Sequence, residues 1–425
     1  MDYKKLAEEQ KDYVIKMRRH FHRHPELSGK EEKTIARICE ELSTMGIPYV
    51  NVPNGGVFGF IGDEKKGRTV LLRGDVDALP GKESPVNGGG LPKQVVSEVE
   101  GVAHICGHDC NAAMLLGAAK IPKAHEDELE GRVVLMFERG EEGGGNLAWL
   151  LKWAFENNLK VDTSFGLHPF LDQPAGKISV VSGPTMAGAL GFQVKILGVA
   201  GHGAEPSFCT SPIDCFVSMY ETIQSLRMKH ANPYDPMVFS VGQVHAGYVN
   251  NVIPGELSFG GSFRVHNFED GLRVREQLVK AIEKTAEIYN CQVEYNVAVP
   301  SMVLVNDPAC AEFTKDVMTG IYGPDILYHS MPMMGTESHA MTAKLWPGTY
   351  MFLGSLNEAK GLTAKNHHEC FEPDEDIFPI GVAAHVGYAM EFLKRGPNTA
   401  DRVYKGDLKE FYTKYNPRAL AAYED

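Results

Sequence analysis

Four short segments hold the residue types that a pair of divalent cations would need. They are Cys106-Gly107-His108-Asp109, Glu141-Glu142, His168 within Gly166-Leu167-His168-Pro169, and His367 within Asn366-His367-His368-Glu369. Thiolate, imidazole and carboxylate are the donors that zinc and its neighbours take, and a site that also hydrolyses needs an acid left over to manage water. Glu141 beside Glu142 supplies that surplus. Neighbours on an extended chain point to opposite sides, so one carboxylate could bind metal while the other faces a substrate pocket. His367 and His368 are equivalent on these grounds. A metallohydrolase is the first reading. A thiol hydrolase with Cys106 as nucleophile and His108 as base, needing no metal, is the rival that the same residues allow. Neither Gly-x-Ser-x-Gly nor His-Glu-x-x-His occurs, so serine-hydrolase and single-helix zinc-protease chemistry lack support.

The elements that must position these residues alternate in type. Strand-like runs at Thr69 to Arg73, Val133 to Phe137 and Ser164 to Leu167 are separated by helical patterns near 111 to 124 and 146 to 158, which predicts a largely parallel, buried sheet. Each candidate ligand of this half falls at or just after the carboxyl end of such a run or in the following loop, the edge where open α/β sheets bind ligands. Ser28 with Glu31 reads as a capping box ahead of the apolar stripe Ile35, Ile38, Cys39, Leu42 and Met45. From 187 to 298 the order becomes strand, helix, strand, strand, helix, strand, the ferredoxin-like β-α-β-β-α-β unit. The first style then resumes with helix 307 to 321, strand 349 to 354 and helix 374 to 394. His367 lies in this resumed part, so residues 187–298 are expected to be an insertion into one catalytic domain made of 1–186 plus 299–425. The tail from Pro397 carries no readable motif.

Composition narrows the partners. The 425 residues favour more than one domain, and 55 acids against 42 bases leave a net charge of -13, which disfavours nucleic acid and anionic membrane surfaces. A small organic substrate fits better. No apolar run approaches the roughly 18 residues of a spanning helix, and the first residues show no signal-peptide pattern. Eight irregularly spaced cysteines do not form a disulfide framework, and a soluble, cytoplasmic protein with mostly buried thiols is expected. His20, His22 and His24 mimic a metal cluster, but alternate residues of a helix lie about 200° apart and share no face, so they read as structural. Asp77, just past a buried strand, could orient a ligand imidazole or tune a bound water.

Taken in order, Arg18 to Ser28, Arg73-Gly74-Asp75-Val76-Asp77-Ala78-Leu79-Pro80, the Cys106 motif, Phe137 to Glu142, Gly166-Leu167-His168, Gly201-His202-Gly203-Ala204, Asn251-Val252-Ile253-Pro254, Gly335-Thr336-Glu337 and His367 to Phe371 carry a resemblance. From about residue 17 to 395 the chain resembles the dinuclear metallopeptidases and amidohydrolases that include bacterial carboxypeptidases. Within them it is most similar to the branch of N-acyl-amino-acid amidohydrolases, hippurate hydrolases and auxin-conjugate hydrolases. The resemblance implies a zinc-peptidase-like α/β catalytic domain with an inserted ferredoxin-like lid that dimerises. It implies two divalent ions, zinc, manganese or cobalt, held by Cys106, His108, Glu142, His168 and His367, with Glu141 as general base and acid. It also implies that His202 reaches the partner subunit's site to stabilise the oxyanion, while Asn251 and Arg264 hold the substrate carboxylate. The implied reaction is hydrolysis of the amide bond of an N-acyl amino acid or small dipeptide-like conjugate. Departures occur at Asn111, where the family usually has His, at Glu138-Arg139-Gly140 for Gln-Pro-Ala, at Ser338-His339 for Asp-Phe, and at Glu369 for Pro. They leave a non-catalytic, small-molecule-binding member as a second alternative.

Overall fold

A computed structural model describes residues 1–425 apart from Gly144 and Asp425. Its centre is a seven-stranded mixed sheet in the order Tyr49–Val52, Gly56–Gly62, Gly131–Glu138, Arg68–Asp75, Thr163–Pro174, Gly348–Leu356, Ile178–Ser179. The four middle strands from Gly131–Glu138 to Gly348–Leu356 run parallel, and the flanking ones antiparallel. Period-two alternation explains why the runs are apolar on every residue. Val70, Leu72, Val133, Leu135 and Phe137 enter one core with helices Lys11–Arg23, Glu32–Thr44, His108–Ala124, Pro308–Tyr322 and Phe378–Arg395. Leu71, Val134 and Met136 enter a second core with helices Leu147–Glu156, His339–Leu345 and Leu408–Tyr415. A sheet covered on both faces has no polar side to show.

Residues 188–297 form a separate four-stranded antiparallel sheet in the order Met237–Ala246, Glu256–Val265, Gly188–Leu197, Gln292–Val297. Helices Pro212–His230 and Phe268–Ile288 cover one of its faces. On Gly188–Leu197, Leu190, Phe192, Val194 and Ile196 are buried while Gly191 and Gln193 are exposed, the alternation of a sheet with one wet face. Entry and exit lie side by side, Ala189 donating its N–H to Ser301 Oγ at 2.9 Å and Ser301 its N–H to Ala189 O at 2.8 Å.

Two sequence expectations fail locally. The Glu32–Thr44 helix has no capping box, because Ser28 Oγ donates instead to Asp77 Oδ2 at 2.6 Å and Glu31 is drawn to Arg139 Nε at 2.7 Å. Long-range charge outcompetes the local cap. Of the eight free cysteines, only Cys110, Cys215 and Cys310 are fully buried. Of the three N-terminal histidines His22 alone turns inward, between Asp109 and Glu83, as helical geometry requires of alternate residues. No helix among the described residues is long and apolar enough to cross a membrane.

Candidate metal centre

The parallel strands deliver their carboxyl ends to one edge. Asp75 pairs with Glu138 at the ends of adjacent strands, and Asp77, Glu141 and Glu142 follow within a few residues. His168 sits in the next strand opposite Phe352. His108 is the first residue of its helix, and Gly107 before it has φ 115°, where an added Cβ would stand 3.0 Å from Pro169 Cγ. Only glycine fits that approach, and it is what turns Cys106 and His108 toward the same space. The chain after Glu138 turns rather than continuing extended, with Gly140 at φ 66°. Glu141 and Glu142 therefore leave the strand through a glycine turn, and their carboxylates converge on His108 instead of pointing to opposite sides as an extended chain would have them.

Three groups of donors converge, every ligand atom within a group lying within 4.8 Å of the others: Cys106, His108 and His168; Cys106, Glu142 and His367; His108, Glu141 and Glu142. Cys106 Sγ is 3.4 Å from His168 Nε2, and Glu142 Oε1 is 3.2 Å from His367 Nε2 and 4.0 Å from His108 Nε2. Each buried imidazole has its other nitrogen engaged. His168 Nδ1 donates to Pro169 O at 2.8 Å and His108 Nδ1 to Asp77 Oδ1 at 3.0 Å, which leaves Nε2 of both rings as the available donor atom. Asp77 is itself held by Ser28 and by the Glu142 N–H at 3.0 Å. His367 adopts φ 70°, an unfavourable conformation for a residue with a side chain, while its N–H donates to Ile105 O at 2.7 Å. His368 turns away and accepts the Cys370 N–H on Nδ1. The two histidines that composition could not separate are thus separated by where their rings lie, His367 beside Glu142 and His368 outside the donor groups.

Charge is unevenly distributed around these donors. One buried guanidinium, Arg73, serves three carboxylates: Nε to Glu138 at 2.8 Å, Nη1 to Asp75 at 2.6 Å and Nη2 to Glu337 at 2.9 Å. Ser338 stands between them, accepting from Arg73 Nη2 at 2.8 Å, donating Oγ–H to Glu138 at 2.5 Å, and giving its N–H to Glu141 Oε1 at 2.9 Å. Burial and then the charge of Glu337 push Glu141 well above the ordinary carboxylate range, and burial lifts Glu138 to about 7. Burial alone would depress His108, but Asp75, Cys106 and Asp77 hold it well above its usual value. Burial pushes the Cys106 thiol up, the opposite of what a thiol nucleophile needs, whereas coordination would remove its proton outright. Sequence reasoning missed the roles of Glu138, Glu337, Ser338 and Tyr350, whose hydroxyl donates to Glu337. Ser338→Ala would leave Glu138 Oε1 buried without its donor. It is expected to cost about 1–3 kcal/mol in chemical denaturation, with the backbone contact to Glu141 retained.

Three expected residues lie apart. His202 is exposed on the short strand Gly201–His202, paired with Val252–Ile253, and its Nδ1 accepts the Ala204 N–H at 3.2 Å. Asn251 is exposed beside it, its carbonyl accepting the Gly203 N–H at 2.8 Å. Arg264 is half-buried and donates Nη1 to Met334 O at 2.7 Å, joining the four-stranded unit to the segment that leads to Ser338. Asn111, at a position read as a departure, donates Nδ2 to Asp75 Oδ1 at 2.7 Å, and its own Oδ1 is buried without a hydrogen-bond partner.

Residues 71–391 match the profile of peptidase family M20/M25/M40. The chain is 33% identical over 387 residues, 90% of its length and 86% of the relative's, to IAA-amino acid hydrolase ILR1-like 4 of Arabidopsis thaliana. It is 32% identical over 391 residues, 90% of this chain and 96% of the relative, to thermostable carboxypeptidase 1 of Saccharolobus solfataricus. The fold is similar to that of the YXEP protein of Bacillus subtilis, described as a dinuclear metal-binding peptidase, with a TM-score of 0.75, 26% identity, and 91% and 99% of the two chains covered. The chain belongs to peptidase family M20/M25/M40, and it is a hydrolase of amide bonds.

Proposed function

We propose that this chain cleaves the amide bond of an N-acyl amino acid or small peptide-like conjugate with water activated at two divalent ions held by Cys106, His108, Glu142, His168 and His367. The observation that carries the reading is Glu142 Oε1. It is buried, lies 3.2 Å from His367 Nε2, and makes no hydrogen bond, so its lone pair is free for a cation. The donors around it are thiolate, imidazole and carboxylate, which fit zinc best and manganese or cobalt also. Bound metal would supply a water acidic enough to ionise near neutral pH and would polarise the scissile carbonyl.

The chain's own groups do the rest. Glu141, steadied by the Ser338 N–H, takes the water's proton and carries it to the leaving amine, and its raised affinity for protons suits that return step. Asp77, gripped by Ser28, keeps the His108 ring fixed. Asn251 and Arg264 hold the amino-acid carboxylate, a planar guanidinium being suited to it. His202 is exposed and joins none of its own chain's donor groups, which supports service to a second subunit. A homodimer through the 187–298 unit is further supported by its outer strand Met237–Ala246, and by Phe208, Val244 and Tyr248, which are 81%, 47% and 89% exposed. Catalytic residues 1–186 plus 299–425 would then face a lid from the partner. Eight free cysteines fit a reducing, cytoplasmic setting.

As-purified protein should carry up to two divalent ions per chain. EDTA should abolish hydrolysis of an acetyl or benzoyl amino acid, and added zinc or manganese should restore it. Full activity in a sample shown by elemental analysis to be metal-free would overturn the reading and return the thiol chemistry of Cys106.

A further inference from the structure

The C-terminal segment, which sequence motifs left unread, forms one wall of a cavity of about 500 Å³ whose other wall includes Glu141 and Ser338. That volume is within the range of small-molecule pockets, roughly 300–1,000 Å³. Because Glu141 lines it, an occupant would reach the reacting amide. Trp149, Met302 and Met341 make its apolar sides. The lining acids are both committed, Glu141 to the Ser338 N–H and Glu337 to Arg73 and Tyr350. Among the described residues, Arg418 is the one cation in the lining. It is exposed, and it rises from a turn, Pro417–Tyr423, that is firmly seated. Buried Tyr412 donates its hydroxyl to Ala148 O at 3.0 Å, and Lys152 Nζ donates to Ala422 O at 2.8 Å. Residues 397–425 lie beyond the stretch, 71–391, that the family profile matches.

On the amide-hydrolysis reading, we infer that this cavity receives the acyl half of the substrate and that Arg418 selects acyl groups ending in a carboxylate. With the amino-acid carboxylate assigned to Asn251 and Arg264, the cavity beside Glu141 is left for the acyl chain. Its apolar sides take the methylenes and its guanidinium at the mouth pairs with the distal charge.

The test uses N-succinyl-L-alanine and N-butyryl-L-alanine, which differ at the acyl terminus by carboxylate against methyl. Binding is measured by calorimetry on the full-length, zinc-loaded Glu141→Gln chain, which is expected to bind without turnover. The succinyl compound should bind roughly tenfold tighter, the scale of one charge-assisted pair. Adding Arg418→Glu should erase the preference, and Arg418→Lys should keep part of it. Equal affinities, no binding of either compound, or a preference that survives Arg418→Glu would each overturn the subsite. Turnover is read separately on the chain with Glu141 intact. If neither compound nor any other amide is hydrolysed, the amidohydrolase reading falls, while the titration still decides the subsite.

Discussion

Glu141→Gln in the metal-loaded protein should lower kcat by about two to four orders of magnitude while elemental analysis finds the metal content unchanged. Glutamine keeps the shape and can still accept the Ser338 N–H, so the change isolates the proton-carrying step. Glu142→Gln should behave differently. Its Oε1 already lies between His367 Nε2 at 3.2 Å and His108 Nε2 at 4.0 Å, the place where an amide in exchange for a carboxylate weakens a cation's hold. Metal content should therefore fall together with activity, and excess metal in the assay should recover part of it. Equal metal loss in both variants, or an active Glu141→Gln, would remove the division of labour between the two neighbours.

His202→Ala should cost about 10²–10³ in kcat, the scale of one lost oxyanion donor, although its ring lies outside every donor group of its own chain. Mixing distinguishes a partner's histidine from a local one. A dimer of one His202→Ala chain and one Glu141→Gln chain has one composite site with both groups intact and one with neither. After random subunit exchange at equal amounts, half the dimers are mixed, so activity should return to roughly a quarter of the native level. A mixture that stays as inactive as its parents, with heterodimers shown by mass spectrometry, would place His202 outside the reaction.

The sheet and the inserted unit could be read from the sequence because period-two runs such as Val133 to Phe137 and a strand-helix order of six elements are local signals. Glu141, Glu142 and His168 were legible for the same reason, lying just past such runs, whereas Cys106, His108 and His367 were legible from their motifs. What escaped were decisions taken across long sequence separations. Ser28 looks like a helix cap until Asp77, 49 residues on, takes its hydroxyl. Ser338 looks like a lost acid until Glu138, 200 residues away in sequence, is seen to accept its Oγ–H and to face Arg73. Composition left His367 and His368 equivalent until the family resemblance chose His367, and the placing of residues 416–421 beside Glu141 needed the packing of Tyr412. None of these leaves a trace in periodicity.

The single guanidinium among three buried carboxylates has a thermodynamic corollary. Asp75, Glu138 and Glu337 crowd Arg73, so the carboxylates at the sheet edge outnumber the guanidinium that serves them. Ions that bind only the folded chain then act as folding ligands by mass action, adding about 2.7 kcal/mol when free metal is a hundred times its dissociation constant. The melting temperature should climb with free metal concentration and keep climbing beyond the concentration that saturates turnover. Starvation for metal would accordingly reduce the amount of folded enzyme as well as its rate, and proteolysis of the unfolded fraction would make that loss permanent.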